Sequence, residues 1–179
     1  MFALSAVVIL TSLFLGAVGA LTLAWMLYAW RTPEGLAATR FVHRERGRRD
    51  VPSRRFSLIV PARHEDALLM HTLDGLAALQ HDDFEVLCVV GDDDPGTAAV
   101  AEEAARRHPG LVRVLVDHSV PKNKPKALNT ALPECTGDVV GVFDAEDEVS
   151  PLLLQAIEAA FHQDRADVVQ GGVQLMNIG

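Results

Sequence analysis

The hydrophobic positions of the chain fall into one long unbroken run, followed by short runs separated by segments of helical periodicity. Residues 2–30 contain no charged side chain and are rich in Leu, Ala and Val. A helix needs about 20 such residues to cross a hydrocarbon core of roughly 30 Å, so residues 1–30 are expected to form one transmembrane helix. Trp25, Tyr28 and Trp30 gather at its C-terminal end, where amphipathic rings favour the headgroup layer.

From Phe56 the pattern alternates. Residues 57–61 (S-L-I-V-P) form a short apolar run closed by proline, which reads as a buried strand. Residues 66–79 place Leu68, Leu69, Leu73, Leu76 and Leu79 at helical spacing. Strands are expected again at 85–90, 111–116, 138–143 and 167–175, with helices at 97–108, 127–132 and 151–161. Continuous apolar strands separated by helices predict a mainly parallel, doubly wound α/β sheet covered on both faces. Ligands of such sheets bind beyond the carboxyl ends of the strands. Unusual polar residues do follow the strands: P-A-R-H-E-D after the first, G-D-D-D-P-G-T after the second and D-A-E-D-E after the fourth.

Charge sharpens the division. The net charge of −8 averages unlike pieces. Residues 31–55 hold eight Arg against three acids, whereas residues 56–179 hold eight Lys and Arg against 21 acids. Arginines beside a span are retained in the cytoplasm, so the N-terminus is expected outside the cell (inner) membrane and the domain inside. A cleaved signal peptide fits poorly, because no positive residue precedes the run and the run exceeds 7–15 residues. Residues 31–55 read as an Arg-rich cytoplasmic linker and residues 56–179 as the folded domain. The acidity of that domain excludes nucleic acid as a bulk partner. Cys88 and Cys135 supply neither a disulfide framework nor a zinc cluster.

The strongest chemical signal is the acidic cluster at residues 144–148, four carboxylates in five positions. Such a cluster repels itself unless a cation relieves it. Hard ions such as Mg²⁺ or Mn²⁺ take oxygen ligands and bridge carboxylates to a diphosphate. An acidic helix start accounts for Glu148 and Asp147 but not for Asp144. Asp92, Asp93 and Asp94 either accept hydrogen bonds from a base or ribose, or form an Asp-rich turn with Pro95 and Gly96. Lys122, Lys124 and Lys126 precede a predicted helix, a setting that suits phosphate oxygens. Glu65 suits either a nucleotide contact or the start of the 66–79 helix.

Taken in order, S-L-I-V-P-A-R-H-E, E-V-L-C-V-V-G-D-D-D-P-G-T, K-N-K-P-K-A-L-N-T-A-L, G-D-V-V-G-V-F-D-A-E-D-E-V and V-V-Q-G-G-V-Q-L-M-N resemble the family 2 glycosyltransferases, inverting enzymes of the GT-A type. The likeness is to their membrane-integrated, polysaccharide-synthase-like branch and covers about residues 56–177. The resemblance implies nucleotide-sugar contacts at Pro61, Ala62, Glu65, Asp92 or Asp93, Lys124 and Asp144. It implies a divalent metal, Mg²⁺ or Mn²⁺, at Asp144 with Glu146 or Asp147. The donor implied is a UDP-type sugar, and the acceptor a polysaccharide or lipid-linked molecule. The catalytic base of this family is an Asp in an E-D motif further along the chain than the acidic cluster, and no E-D follows Glu148 up to Gly179. The chain is therefore expected to be a donor-binding portion that transfers nothing by itself. A non-catalytic nucleotide-sugar sensor is the alternative. A signalling receiver domain could use Asp117 as phosphoacceptor, but it lacks the required lysine after a fifth strand.

Overall fold

The computed structural model describes residues 2–31, 54–164 and 166–171. The chain divides into two units, one holding the N-terminal helix and the other spanning Arg40–Gln170. Most of the Arg-rich linker expected at 31–55 lies outside the described residues.

Helix α1 runs Phe2–Arg31. Its segment Ser5–Tyr28, of mean hydropathy 2.3, is long and apolar enough to cross a membrane. The hydroxyls of Thr11 and Thr22 donate to the carbonyls of Val7 and Val18, each at 2.8 Å. Returning hydroxyls to the helix backbone leaves them satisfied where water is absent. Trp25 meets Tyr28 edge to face at 5.8 Å.

The second unit is built on a four-stranded sheet: β1 (Phe56–Ala62), β2 (Phe84–Gly91), β3 (Val112–Asp117) and β4 (Val139–Val142). All pairings are parallel and the order is β3-β2-β1-β4. The expected doubly wound parallel sheet is present. The helices between are α2 (Leu69–Ala77), α3 (Pro95–Arg107) and α4 (Lys124–Ala131), and α5 (Leu153–Asp164) follows β4. The apolar stripes of α2 and α3, with Leu154 of α5, pack on one face against Phe56, Leu58, Val60, Val86, Cys88 and Val90. Burying each Leu or Val contributes about 1.5–3 kcal/mol. The other face is thinner: Ile59 and Val89 meet Ala131 of α4, supported by Leu115, Ala127 and Leu128.

The order in which strands are added across the sheet reverses between β3 and β4, because β4 lies on the far side of β1. The return passes under the amino ends of β1 and β2, and buried polar groups pin it there. The carboxylate of Glu85, on β2, accepts from Ser57 Oγ at 2.7 Å, from Thr136 N at 2.8 Å and from Thr136 Oγ1 at 2.7 Å. Gly137 N donates to Ser57 Oγ at 2.8 Å. A Cβ on Gly137 would lie 2.6 Å from the backbone nitrogen of Ser57, so only glycine permits this approach.

Three expectations shift. Strand β1 runs one residue past the expected end at Pro61, so Ala62 belongs to it rather than to the loop, and the two residues pair with Val89 and Val90. The ladder to β4 stops at Ile59 and Val142, so the missing N–H of Pro61 costs no bond there. Helix α4 starts at Lys124, three residues early, because Asn123 caps it and Pro125 sits in its first turn. Residues 167–171 of the expected fifth strand are not strand, and Val168 is exposed. Consecutive glycines at 171 and 172 oppose an extended ladder. The remainder of that expected strand lies outside the described residues.

Candidate functional site

The switch in strand order puts a crevice beyond the carboxyl ends of β1 and β4. A cleft of about 110 Å³ opens beside it, with an apolar floor of Pro61, Ala62, Val89, Val90 and Ala127. Its rim carries Arg63, Lys122 and Lys124, and the end of β3 adds Asp117. Pockets that enclose a whole drug-sized ligand run to roughly 300–1,000 Å³, so this one has room for a single ring or phosphoryl group.

The loop after β1 turns through His64, whose φ of 58° lies in the left-handed region. Such backbone persists only where its surroundings fix it. Here the amide of His64 donates to Asp94 Oδ2 at 2.6 Å and that of Glu65 to Thr97 Oγ1 at 3.2 Å. Asp94 also caps α3 by accepting from Thr97 N. Burial opposes ionisation of Asp94, yet the amide of His64 and both donors of Thr97 outweigh it and hold its pKa below the usual carboxylate value. Of the three consecutive acids, Asp94 is thus the structural one, while Asp92 and Asp93 stand exposed at the cleft.

Both exposed acids carry an internal cation. Asp93 receives a bidentate pair from Arg63, at 3.0 and 2.9 Å, which lowers its pKa. Asp92 is held low by the Lys122 ammonium at 2.7 Å and then by His118 Nδ1 at 2.8 Å. At the end of β3, burial raises the Asp117 pKa, but bonds from Ser119 and Thr130 prevail and leave it lowered. All three are carboxylates at neutral pH.

Beyond β4 the acidic segment folds into a tight turn. The amide of Asp144 donates to Asp147 Oδ2 at 2.7 Å, and the amide of Asp147 returns to the Asp144 carbonyl at 3.1 Å. Ala145 is buried, whereas Asp144 and Glu146 are exposed on either side of it. Lys124, reaching across from α4, pairs with the Asp144 carboxylate. The carboxylates of Glu65 and Glu146 accept no hydrogen bond among the described residues.

Sequence reasoning therefore named the strand-end acids and Lys124, and the fold gathers them at one edge. Lys122 is among the three lysines that it places before the helix, Asp117 enters only under the receiver-domain reading, and Arg63 is missed. Asp117 ends an apolar strand and the strand-end rule points to it. Arg63 follows β1 directly, but nothing in its neighbours announces a partner 30 residues away.

Among the described residues no three His, Cys, Asp or Glu side chains converge as a metal cage. Asp144 and Glu146 are exposed, and Asp147 Oδ2 accepts from the amide of Asp144. The exposed donors are all carboxylate oxygens, and an ammonium already occupies a cation's place on Asp144. This fits a hard divalent ion held by one or two carboxylates, its other positions filled by phosphate and water.

Comparison with known proteins follows the same lines. Residues 52–179 match the family model described as glycosyltransferase like family 2. A beta-monoglucosyldiacylglycerol synthase of Synechocystis sp. is 31% identical over 62% of this chain and 24% of its own. The probable glycosyltransferase YdaM of Bacillus subtilis is 24% identical over 68% of this chain and 30% of its own. The chain thus spans a quarter to a third of the length of these two relatives. Among solved structures, the mannosyltransferase PcManGT from Pyrobaculum calidifontis, in complex with GDP-Man and Mn²⁺, superposes with a TM-score of 0.59. It is 26% identical, over 82% of this chain and 42% of that one. TarS 1–349 of S. aureus, 23% identical over 68% of this chain and 38% of that one, has a TM-score of 0.56 and shares the fold.

Proposed function

The chain belongs to the family 2-like glycosyltransferases, and from that premise we propose that it is the donor-binding part of a membrane-anchored inverting enzyme using a UDP-type sugar. The observation that carries this reading is one sheet edge at which an apolar cleft is rimmed by three cations, one of which, Lys124, pairs with the exposed Asp144 at the end of β4. The cleft takes the base between Pro61, Ala62 and Val89. Asp92, Asp93 and Glu65 accept hydrogen bonds from base or ribose donors, and Lys124 turns from Asp144 to a phosphate oxygen.

Asp144 and Glu146 are the residues to hold a divalent metal, Mg²⁺ or Mn²⁺, while Asp147 keeps the turn closed. Such an ion, when bound, stabilises charge on the departing nucleoside diphosphate. The Mn²⁺ in the PcManGT complex supports the use of a divalent ion. Asp144 and Glu146 flank a buried Ala145 just after β4 and are both exposed, so both carboxylates are open to solvent where a diphosphate would bind. The base that deprotonates the acceptor hydroxyl comes from elsewhere in the enzyme, so this chain binds donor without transferring sugar.

A lipid-linked or polysaccharide acceptor is consistent with the relative named beta-monoglucosyldiacylglycerol synthase. Helix α1 anchors the chain, with the arginines from Arg31 onward on the cytoplasmic side.

The test is made on the full chain in detergent micelles containing diacylglycerol. With Mn²⁺ and radiolabelled UDP-sugars or GDP-mannose, it should retain a UDP-sugar and form no labelled glycolipid. Absence of nucleotide-sugar binding contradicts the function, and glycolipid formation contradicts the donor-binding-only role.

A further inference from the structure

Thr72 sits in the interior of α2, among the leucines that face the core, and is 2% exposed. A β-branched residue is a mediocre helix former, and a helical threonine commonly returns its hydroxyl to its own helix. Thr72 does not. Its Oγ1 donates to the carbonyl of Ala145, 73 residues away, at 2.7 Å.

Ala145 is the residue between Asp144 and Glu146, and it is 5% exposed. A buried carbonyl needs a donor, and among the described residues Thr72 is the side chain that supplies one here. The bond is made inside the core, where it is shielded from water and fixed by the stiff χ1 of threonine. It draws the middle residue of the acidic turn inward. The side chains on either side, Asp144 and Glu146, are the exposed ones. The same helix touches the loop again through His71 Nε2, 3.2 Å from Glu148 Oε1. That second contact is exposed and carries less weight.

We propose that Thr72 is a positioning residue for the cation-binding carboxylates: its hydroxyl holds the Ala145 carbonyl so that Asp144 and Glu146 project together. This rests on the donor-binding reading above. Groups that orient metal ligands from behind typically change metal affinity about ten- to hundredfold when removed.

The test compares the full chain with T72V and T72S in detergent, using Mn²⁺ titrated against a fixed saturating concentration of UDP and followed by Mn²⁺ paramagnetic resonance. Thermal melting is recorded beside it. T72V, which keeps shape and removes the donor, should bind Mn²⁺ about tenfold or more weakly in its folded state. T72S, which keeps the donor, should bind as the parent does. Parent-like Mn²⁺ affinity in T72V, whatever its melting temperature, overturns the proposal, as does equal weakening in T72S. Should T72V not fold, T72A removes the same donor and is judged by the same affinity. If the parent itself binds no Mn²⁺ with UDP, the donor-binding reading fails, and the inference fails with it.

Discussion

Lys124, in the first turn of α4, places its ammonium on the carboxylate of Asp144, which follows β4 twenty residues later. Neither residue is buried: their side chains are 49% and 57% exposed. Such a pair adds little to stability. Its interest lies in exchange, because each partner is needed elsewhere once a nucleoside diphosphate and a cation arrive.

Replacing Lys124 with methionine keeps the stem and removes the charge. We expect K124M to change folding stability by less than about 1 kcal/mol. Affinity for UDP at saturating Mn²⁺ should fall by about 1.5–3 kcal/mol, the range of a hydrogen bond to a charged group. Urea denaturation and calorimetry measure the two. A large stability loss with unchanged UDP affinity would show that the lysine serves the fold instead.

Gly137 predicts a stability effect remote from the site. A Cβ there would stand 2.6 Å from Ser57 N, 2.7 Å from Phe56 C and 2.8 Å from Arg55 O. All three are backbone atoms that cannot swing aside. G137A should therefore cost about 3 kcal/mol or more, read from the urea midpoint. A loss below about 1 kcal/mol would mean that the return loop is not seated against β1.

The buried Glu85 links stability to pH. Burial opposes its charge, but donors from Thr136 and Ser57, with Arg113 at 3.4 Å, bring its pKa below the ordinary value. Asp117 is lowered in the same way. A carboxylate that holds its proton less tightly when folded contributes stability in full above the unfolded pKa of about 4, and loses it as pH falls through the lower folded value. Denaturation between pH 7 and pH 3 should show stability declining over the acid part of that range. E85Q should lose about 1–3 kcal/mol at pH 7, because donors are left unmatched, and should show a shallower acid decline. An unchanged acid slope would contradict the assignment.

The regular parts of this fold are legible because burial writes them into composition. β1 and β2 lie between two neighbours and are covered by helices, so S-L-I-V and E-V-L-C-V-V carry almost no polar side chain. β4, at the sheet edge, alternates half-buried and exposed residues and still reads as a strand from its valines. The start of α4 misleads because Pro125 looks like a breaker, yet it sits in a first turn whose N–H groups have no helical partner. The pairs of Arg63 with Asp93 and Thr72 with Ala145 are invisible in sequence. Each joins elements that only the crossover topology brings together.

In the proposed donor site the Asp144 carboxylate takes a cation that in turn takes a diphosphate. Calorimetric titration of the full chain with UDP, with Mn²⁺ and again with EDTA, for the parent and for D144N, tests it directly. UDP binding by the parent should depend on Mn²⁺ and be lost or weakened at least about tenfold in D144N. Equal heats with Mn²⁺ and with EDTA, or D144N binding as the parent does, would contradict it.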